Sequence, residues 1–145
     1  MKVTELMNSP VTVSQEDTLL TAAGRMRDDS VGCLVATHGA EPVGILTDRD
    51  IATRCTAEGH DPRACTVGQH MTAKLTTARP DTDALDALHL MVAHKVKRLP
   101  VVDGGRLVGL VSLSDIAEAL ETPMLDLLAG MGAARRSEPT GLLAG

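Results

Sequence analysis

The chain has 145 residues and a mass of 15.2 kDa, room for one compact domain or two half-size repeats with a sizeable core, and too little for a large multidomain enzyme. Its 43% hydrophobic and 23% charged residues lie near the globular average, and no apolar run approaches the roughly 18 residues a membrane span needs. A net charge of -5 and the absence of Phe, Tyr and Trp argue against nucleic acid as a partner, because base-stacking platforms and a basic duplex-binding face are both missing.

The opening MKVTELMNSP lacks the basic-then-apolar order of a secretory signal, and three cysteines at 33, 55 and 65 cannot all pair internally, so a reducing cytoplasm is the expected compartment. The first 56 residues read as a short lead-in, a strand at Thr12, a helix holding Gly24 and polar Arg25 to Ser30, two strands about Gly39, and a second helix at Ile51. Residues 57–66 are polar and rich in turn formers, Gly59 and Asp61-Pro62 among them, and read as a linker ending where Thr66 can cap a short helix. From 67 the plan recurs. Leu85, Leu88, Met91 and Val92 share one face of a helix, Leu99 to Val102 is a buried strand, Asp103-Gly104-Gly105 a hairpin turn, and Leu107 to Val111 a strand running into a helix with Ile116, Ala119 and Leu120. After residue 121, Thr122-Pro123 reads as the cap and first turn of a separate helix ending near Met131, with a flexible tail beyond Gly132.

The halves are repeats. A shift of 64 aligns Val3, Met7 and Thr12 with Val67, Met71 and Thr76, and a shift of 65 then holds without a gap from Asp17 to Arg54. Eleven of those 38 positions are identical, among them Gly39/Gly104, Gly44/Gly109, Asp50/Asp115 and Ile51/Ile116. Copies of about 60 residues rarely bury enough surface alone, so the expected fold is α/β: two β-α-β-β-α repeats packed face to face about a pseudo-twofold axis and sharing a core.

GILTDRDI at 44–51, GLVSLSDI at 109–116, KRLPVVDGGRLVG at 97–109 and the Met-ended lead-ins resemble a tandem pair of CBS domains, a Bateman module, of the small stand-alone bacterial type. The resemblance covers residues 3–121. It implies a regulatory module without catalysis that binds an adenosyl ligand (AMP, ADP, ATP, NAD or S-adenosylmethionine) in clefts between the copies and pairs into a homodimer. It also implies which residues line the clefts. One would use Thr47, Arg49 and Asp50 with Thr76, Val96, Lys97 and Arg98, and the other Ser112, Ser114 and Asp115 with Thr12, Val31, Gly32 and Cys33. The Asp would hold ribose and the Thr or Ser phosphate, helped by unpaired N–H groups at the strand-to-helix junction.

Thr47-x-x-Asp50 and Ser112-x-x-Asp115 also have the spacing of a helix capping box, so spacing alone leaves both readings open. Lys97 and Arg98 in the first cleft face only Gly32 and Cys33 at the equivalent places of the second, which predicts unequal clefts with phosphate preferring the Asp50 side. Cys55, His60, Cys65 and His70 recur every fifth residue, a spacing that rotates a helix by about 140° and matches no usual zinc pattern, so no metal is expected. Nothing in the sequence supplies a nucleophile motif or a glycine-rich phosphate loop. The competing reading is a stress-associated structural dimer whose clefts are vacant.

Overall fold

The structure, a computed structural model, describes residues 1–136 and the side chains of residues 1–131. After a 3-10 turn at Val3–Glu5, the first repeat comprises β1 (Thr12–Ser14), α1 (Leu19–Asp29), β2 (Cys33–His38), β3 (Glu41–Thr47) and α2 (Asp48–Asp50), which continues as a π-helical turn over Ile51–Thr56. The second comprises α3 (Val67–His70), α4 (Ala84–His94), β4 (Arg98–Asp103), β5 (Arg106–Ser112) and α5 (Leu113–Arg136).

Local chemistry sets these elements. The Thr18 hydroxyl accepts the Thr21 N–H at 3.2 Å and starts α1, which buries Leu19, Ala22 and Met26 at i, i+3 and i+7. Gly24 does not interrupt it. Ser30 ends α1 and its repeat equivalent Lys95 ends α4, each as a left-handed residue at φ 54°, a turn that directs the next strand back across its helix. β2 and β3 form an antiparallel hairpin about Gly39, and β4 and β5 one about Gly104-Gly105, all three glycines at positive φ. β1 adds to the first hairpin in parallel, Thr12 opposite Val35. In the second repeat the corresponding strand is reduced to one parallel bridge, Ala78 to Val101. Thr18→Ala should cost about 1 kcal/mol, a few degrees of melting temperature, because the Thr21 N–H then loses its partner. A dichroism melt checks this, and an unchanged midpoint would show that the cap contributes nothing.

The shared core expected from the repeats is instead two cores, each completed by the other copy. Val3 is buried with Ala87, Leu99, Val101 and Ile116 of the second repeat, and Val67 with Leu19, Leu34 and Leu46 of the first. The main chain makes the same exchange: Val3 N–H bonds the Thr82 carbonyl at 2.8 Å, and Val67 N–H the Asp17 carbonyl at 2.8 Å. A half-size copy lacks the surface to seal its own sheet, and a lead-in crossing to the neighbour supplies it.

Two other expectations are corrected. On α4 the buried residues are Ala84, Ala87 and Met91, while Leu85 and Val92 are 54% and 71% exposed. Ala87 and Met91 pack with Leu99 and Val101 of β4, and a helix that puts this side on the sheet turns Leu85 and Val92 outward. The separate helix expected at Thr122-Pro123 does not form, since α5 runs unbroken through Pro123 to Arg136. Proline's φ is helical, but inside a helix it loses its own N–H bond and its ring crowds the carbonyl of Ala119 four residues back, and α5 carries both costs rather than restarting. The tail beyond Gly132 is helical in backbone to Arg136, and residues 137–145 lie outside the described residues.

Candidate functional site

β3 and α2 of the first repeat meet the irregular stretch after α3 and the start of β4 in the second, and a cavity of about 200 Å³ lies between them. Thr47, Asp50, Thr76, Val96, Lys97 and Arg98, named from the sequence, all line it. Arg49 does not. It is exposed at the surface of α2, outside the lining. Four lining residues escaped the sequence reading: Ile45, Thr72, Lys74 and Leu75. Lys74 carried a legible signal, because the shift of 64 sets it opposite Pro10 and so adds a third cation to one cleft and none to the other.

The strand-to-helix junction has no N–H to spare. Thr47 N–H bonds Asp50 Oδ2 at 2.9 Å, Asp48 N–H the Gly32 carbonyl at 3.0 Å, Arg49 N–H Asp48 Oδ1 at 2.8 Å, and Asp50 N–H the Thr47 hydroxyl at 3.1 Å. The expectation of unpaired N–H groups for phosphate is therefore corrected: Thr47 and Asp50 form a closed capping box, and an anion here must be met by side chains. Asp50 keeps capacity beyond the box. Among the described residues its second oxygen has only Arg54 Nε at 3.6 Å, and a carboxylate offers about four acceptor positions.

The second carboxylate is differently placed. Asp115 Oδ2 accepts both the N–H and the hydroxyl of Ser112 at 2.8 Å, and Oδ1 accepts Asn8 Nδ2 at 3.1 Å. Asp115 lines an open cavity with Glu5, Asn8 and Glu118, an acidic surround with no cation in its lining. Of the other residues assigned to that cleft, Cys33 is buried, Val31, Gly32 and Ser112 are half-buried, and Thr12 and Ser114 are exposed. An added Cβ at Gly32 would meet the Asp48 carboxylate at 3.0 Å. Burial pushes the Cys33 thiol up in pKa, against the opposing pull of the Arg98 guanidinium and with Asp50 and Asp48 adding to it, so the charges that reach Cys33 are those of the Asp50 side, and the Asp115 cavity is lined by neither Cys33, Gly32, Val31 nor Thr12.

The CBS-domain family model matches residues 3–56 and 67–122, which is most of the chain and both repeats. The chain belongs to the CBS-domain family. This CBS pair is 41% identical over 106 residues to the CBS domain-containing protein YhcV of Bacillus subtilis, covering 73% of this chain and 75% of that one. It is 36% identical over 118 residues to hypoxic response protein 1 of Mycobacterium tuberculosis, covering 80% and 82%. A crystal structure of hypoxic response protein I with two coordinated zinc ions superposes with a TM-score of 0.74 at 33% identity, covering 81% of this chain and 98% of that one. The CBS domain pair of protein MJ0100, solved in complex with 5′-methylthioadenosine and S-adenosyl-L-methionine, gives a TM-score of 0.75 at 25% identity, with coverage of 85% and 98%. CBS pairs are in general regulatory and non-catalytic modules, and this chain is a CBS-pair regulatory protein. Among its described residues no helix is long and apolar enough to cross a membrane.

Proposed function

We propose that this CBS pair senses an adenosyl ligand in the Asp50 cleft, AMP or ATP first among AMP, ADP, ATP, NAD and S-adenosylmethionine, and does so without catalysis or a resident cofactor. The observation that carries the reading is one cavity combining an under-used carboxylate, three cations and an apolar wall. The free oxygen of Asp50 accepts ribose hydroxyls, Lys74, Lys97 and Arg98 meet phosphate with the hydroxyls of Thr47 and Thr76, and Ile45, Leu75 and Val96 receive the base. The complex of MJ0100 with two adenosyl compounds supports the ligand class. The cavity of about 200 Å³ opens to solvent, and a ligand larger than it meets the wall at residues 73–77, which have no regular structure and are placed to shift on binding. That displacement is the signal, and its size is set by the ligand's differential affinity for the two wall positions.

The second reading, a partner-binding dimer with vacant clefts, is favoured by one observation. Leu85 and Val92 of α4, and Met124, Leu127, Leu128 and Met131 of α5, are exposed apolar side chains. They suit a second copy of this chain, and a homodimer is part of the proposal. Sedimentation velocity at micromolar concentration checks it.

Without aromatic residues the protein has almost no absorbance at 260 nm of its own, so the spectrum of the purified protein tests the nucleotide reading directly. The expected result is a 260 nm band that travels with the protein on a sizing column and is released on denaturation, or failing that a melting shift with added AMP or ATP. Ligand at about 100 times its dissociation constant adds about 2.7 kcal/mol, several degrees for a chain of this size. A flat spectrum and no shift with AMP, ATP, NAD or S-adenosylmethionine would leave the vacant-cleft reading.

A further inference from the structure

Cys55, His60, Cys65 and His70 do not lie on one helix, which removes the geometric objection raised by their spacing. Cys55 sits in the π-helical turn Ile51–Thr56, His60 follows the left-handed Gly59, Cys65 closes the turn begun at Asp61, and His70 is the last residue of α3. The π turn is itself part of the arrangement: His60 N–H bonds the Cys55 carbonyl at 2.9 Å, five residues back, so the chain doubles over the cysteine. The linker is pinned beneath by Leu19 N–H on the Cys65 carbonyl at 3.0 Å and Leu20 N–H on the Pro62 carbonyl at 3.1 Å.

The outcome is a cluster of soft donors. One ligand atom from each of His60, Cys65 and His70 lies within 4.8 Å of both others, and the two imidazoles stand 5.5 Å apart, tilted by 46°. Neither imidazole has a hydrogen-bond partner among the described residues. Cys55 is buried beside them, its thiol donating to the His60 carbonyl at 3.4 Å. The one carboxylate in the turn, Asp61, is taken by Arg63 at 3.0 Å.

We propose that His60, Cys65 and His70, with Cys55 as fourth ligand, bind one zinc ion that clasps the linker to the first repeat. A tetrahedral ion with Zn–N near 2.0–2.1 Å and Zn–S near 2.3 Å holds its ligand atoms roughly 3.3–3.8 Å apart; the atoms of His60, Cys65 and His70 already stand within 4.8 Å of one another, and Cys55 joins them by giving up its bond to the His60 carbonyl. Two nitrogens and two sulfurs select zinc over hard cations such as magnesium or calcium. His60, Cys65 and His70 line an open depression on the surface, which gives the ion an entry path. The linker has no large apolar side chain between Cys55 and Val67, so a clasp supplies order that packing does not.

The test is a cobalt(II) titration of the full chain, stripped with a chelator and kept reduced. The near-ultraviolet is clear of aromatic absorbance, so thiolate-to-cobalt charge transfer is read directly. The expected result is one ion per chain, visible bands of tetrahedral intensity, their loss on adding one equivalent of zinc, and a higher melting temperature for the zinc-loaded protein. His60→Gln at the exposed position and Cys65→Ser each lose the tetrahedral bands, and Cys55→Ser halves the charge-transfer intensity. No tetrahedral bands in the unsubstituted chain, or the same bands in His60→Gln and Cys65→Ser, would overturn the site. Unchanged charge transfer in a folded Cys55→Ser protein would overturn the fourth ligand. None of these readouts depends on nucleotide binding.

Discussion

Asp50→Ala lowers the affinity for AMP by about a hundredfold or more, while Asp115→Ala leaves it within a few fold. Hydrogen bonds to a charged acceptor contribute about 1.5–3 kcal/mol each, so losing two from vicinal ribose hydroxyls removes at least about 3 kcal/mol. The contrast arises in what each carboxylate already does. Asp115 accepts from Ser112 twice and from Asn8 once, and its cavity includes Glu5 and Glu118. Among the described residues Asp50 accepts only the Thr47 N–H, has a distant Arg54, and shares its cavity with Lys74, Lys97 and Arg98. Calorimetric titration of both variants, with Asp50→Asn as the size-matched control, decides the matter. Equal losses at the two positions, or a greater loss at Asp115, would overturn the assignment of the Asp50 cleft. The cations supply a second signature: Lys97→Ala and Arg98→Ala should weaken AMP far more than adenosine, and added salt should do the same.

Gly109→Val destabilises the fold by about 1–3 kcal/mol, and Met7→Ala relieves part of that cost. A Cβ at Gly109 would collide with the Met7 sulfur and approach its Cβ to 3.1 Å, while Gly44 stands in the same relation to Met71 across the pseudo-twofold. Each Met belongs to one repeat's lead-in and each Gly to the other repeat's second hairpin strand, so the pair is the contact through which the repeats complete one another. Overpacking of this kind strains rotamers and shifts backbone. Each kcal/mol moves the melting midpoint by about 2–4 °C in a chain near this length, and a double-mutant cycle with a favourable coupling is expected. Strict additivity of the two substitutions would show that Met7 does not lie over Gly109 in solution.

Much of this architecture was legible because it rests on local rules applied twice. The glycines at 39 and 104 and the pairs Thr47/Asp50 and Ser112/Asp115 each carry a local physical reason, and the repeat offset sets one copy against the other. What was misread depended on neighbours. Leu85 and Val92 have the same hydropathy and spacing whether they face sheet or solvent, and only the packing of Ala87 and Met91 with Leu99 and Val101 of β4 decided which. Thr122-Pro123 carries a start signal that α5 overran. The N–H groups at the Asp50 junction looked free because their partners, the Gly32 carbonyl and the Asp48 and Asp50 carboxylates, are brought into place by the hairpin and the turn.

The sequence by itself determined that there are two copies of one α/β plan, where the two glycine hairpin turns fall, and that the cations sit in one half of the repeat pattern and not the other, because these follow from residue type and spacing along the chain. Tertiary structure alone decided that the lead-ins exchange between cores, that Ile45, Thr72 and Leu75 join the wall of the Asp50 cleft, and that His60, Cys65 and His70, spaced for no helix face, meet at one turn. Side-chain chemistry is local, but which side chains share a volume depends on how the chain returns on itself, and no period in the sequence encodes that return.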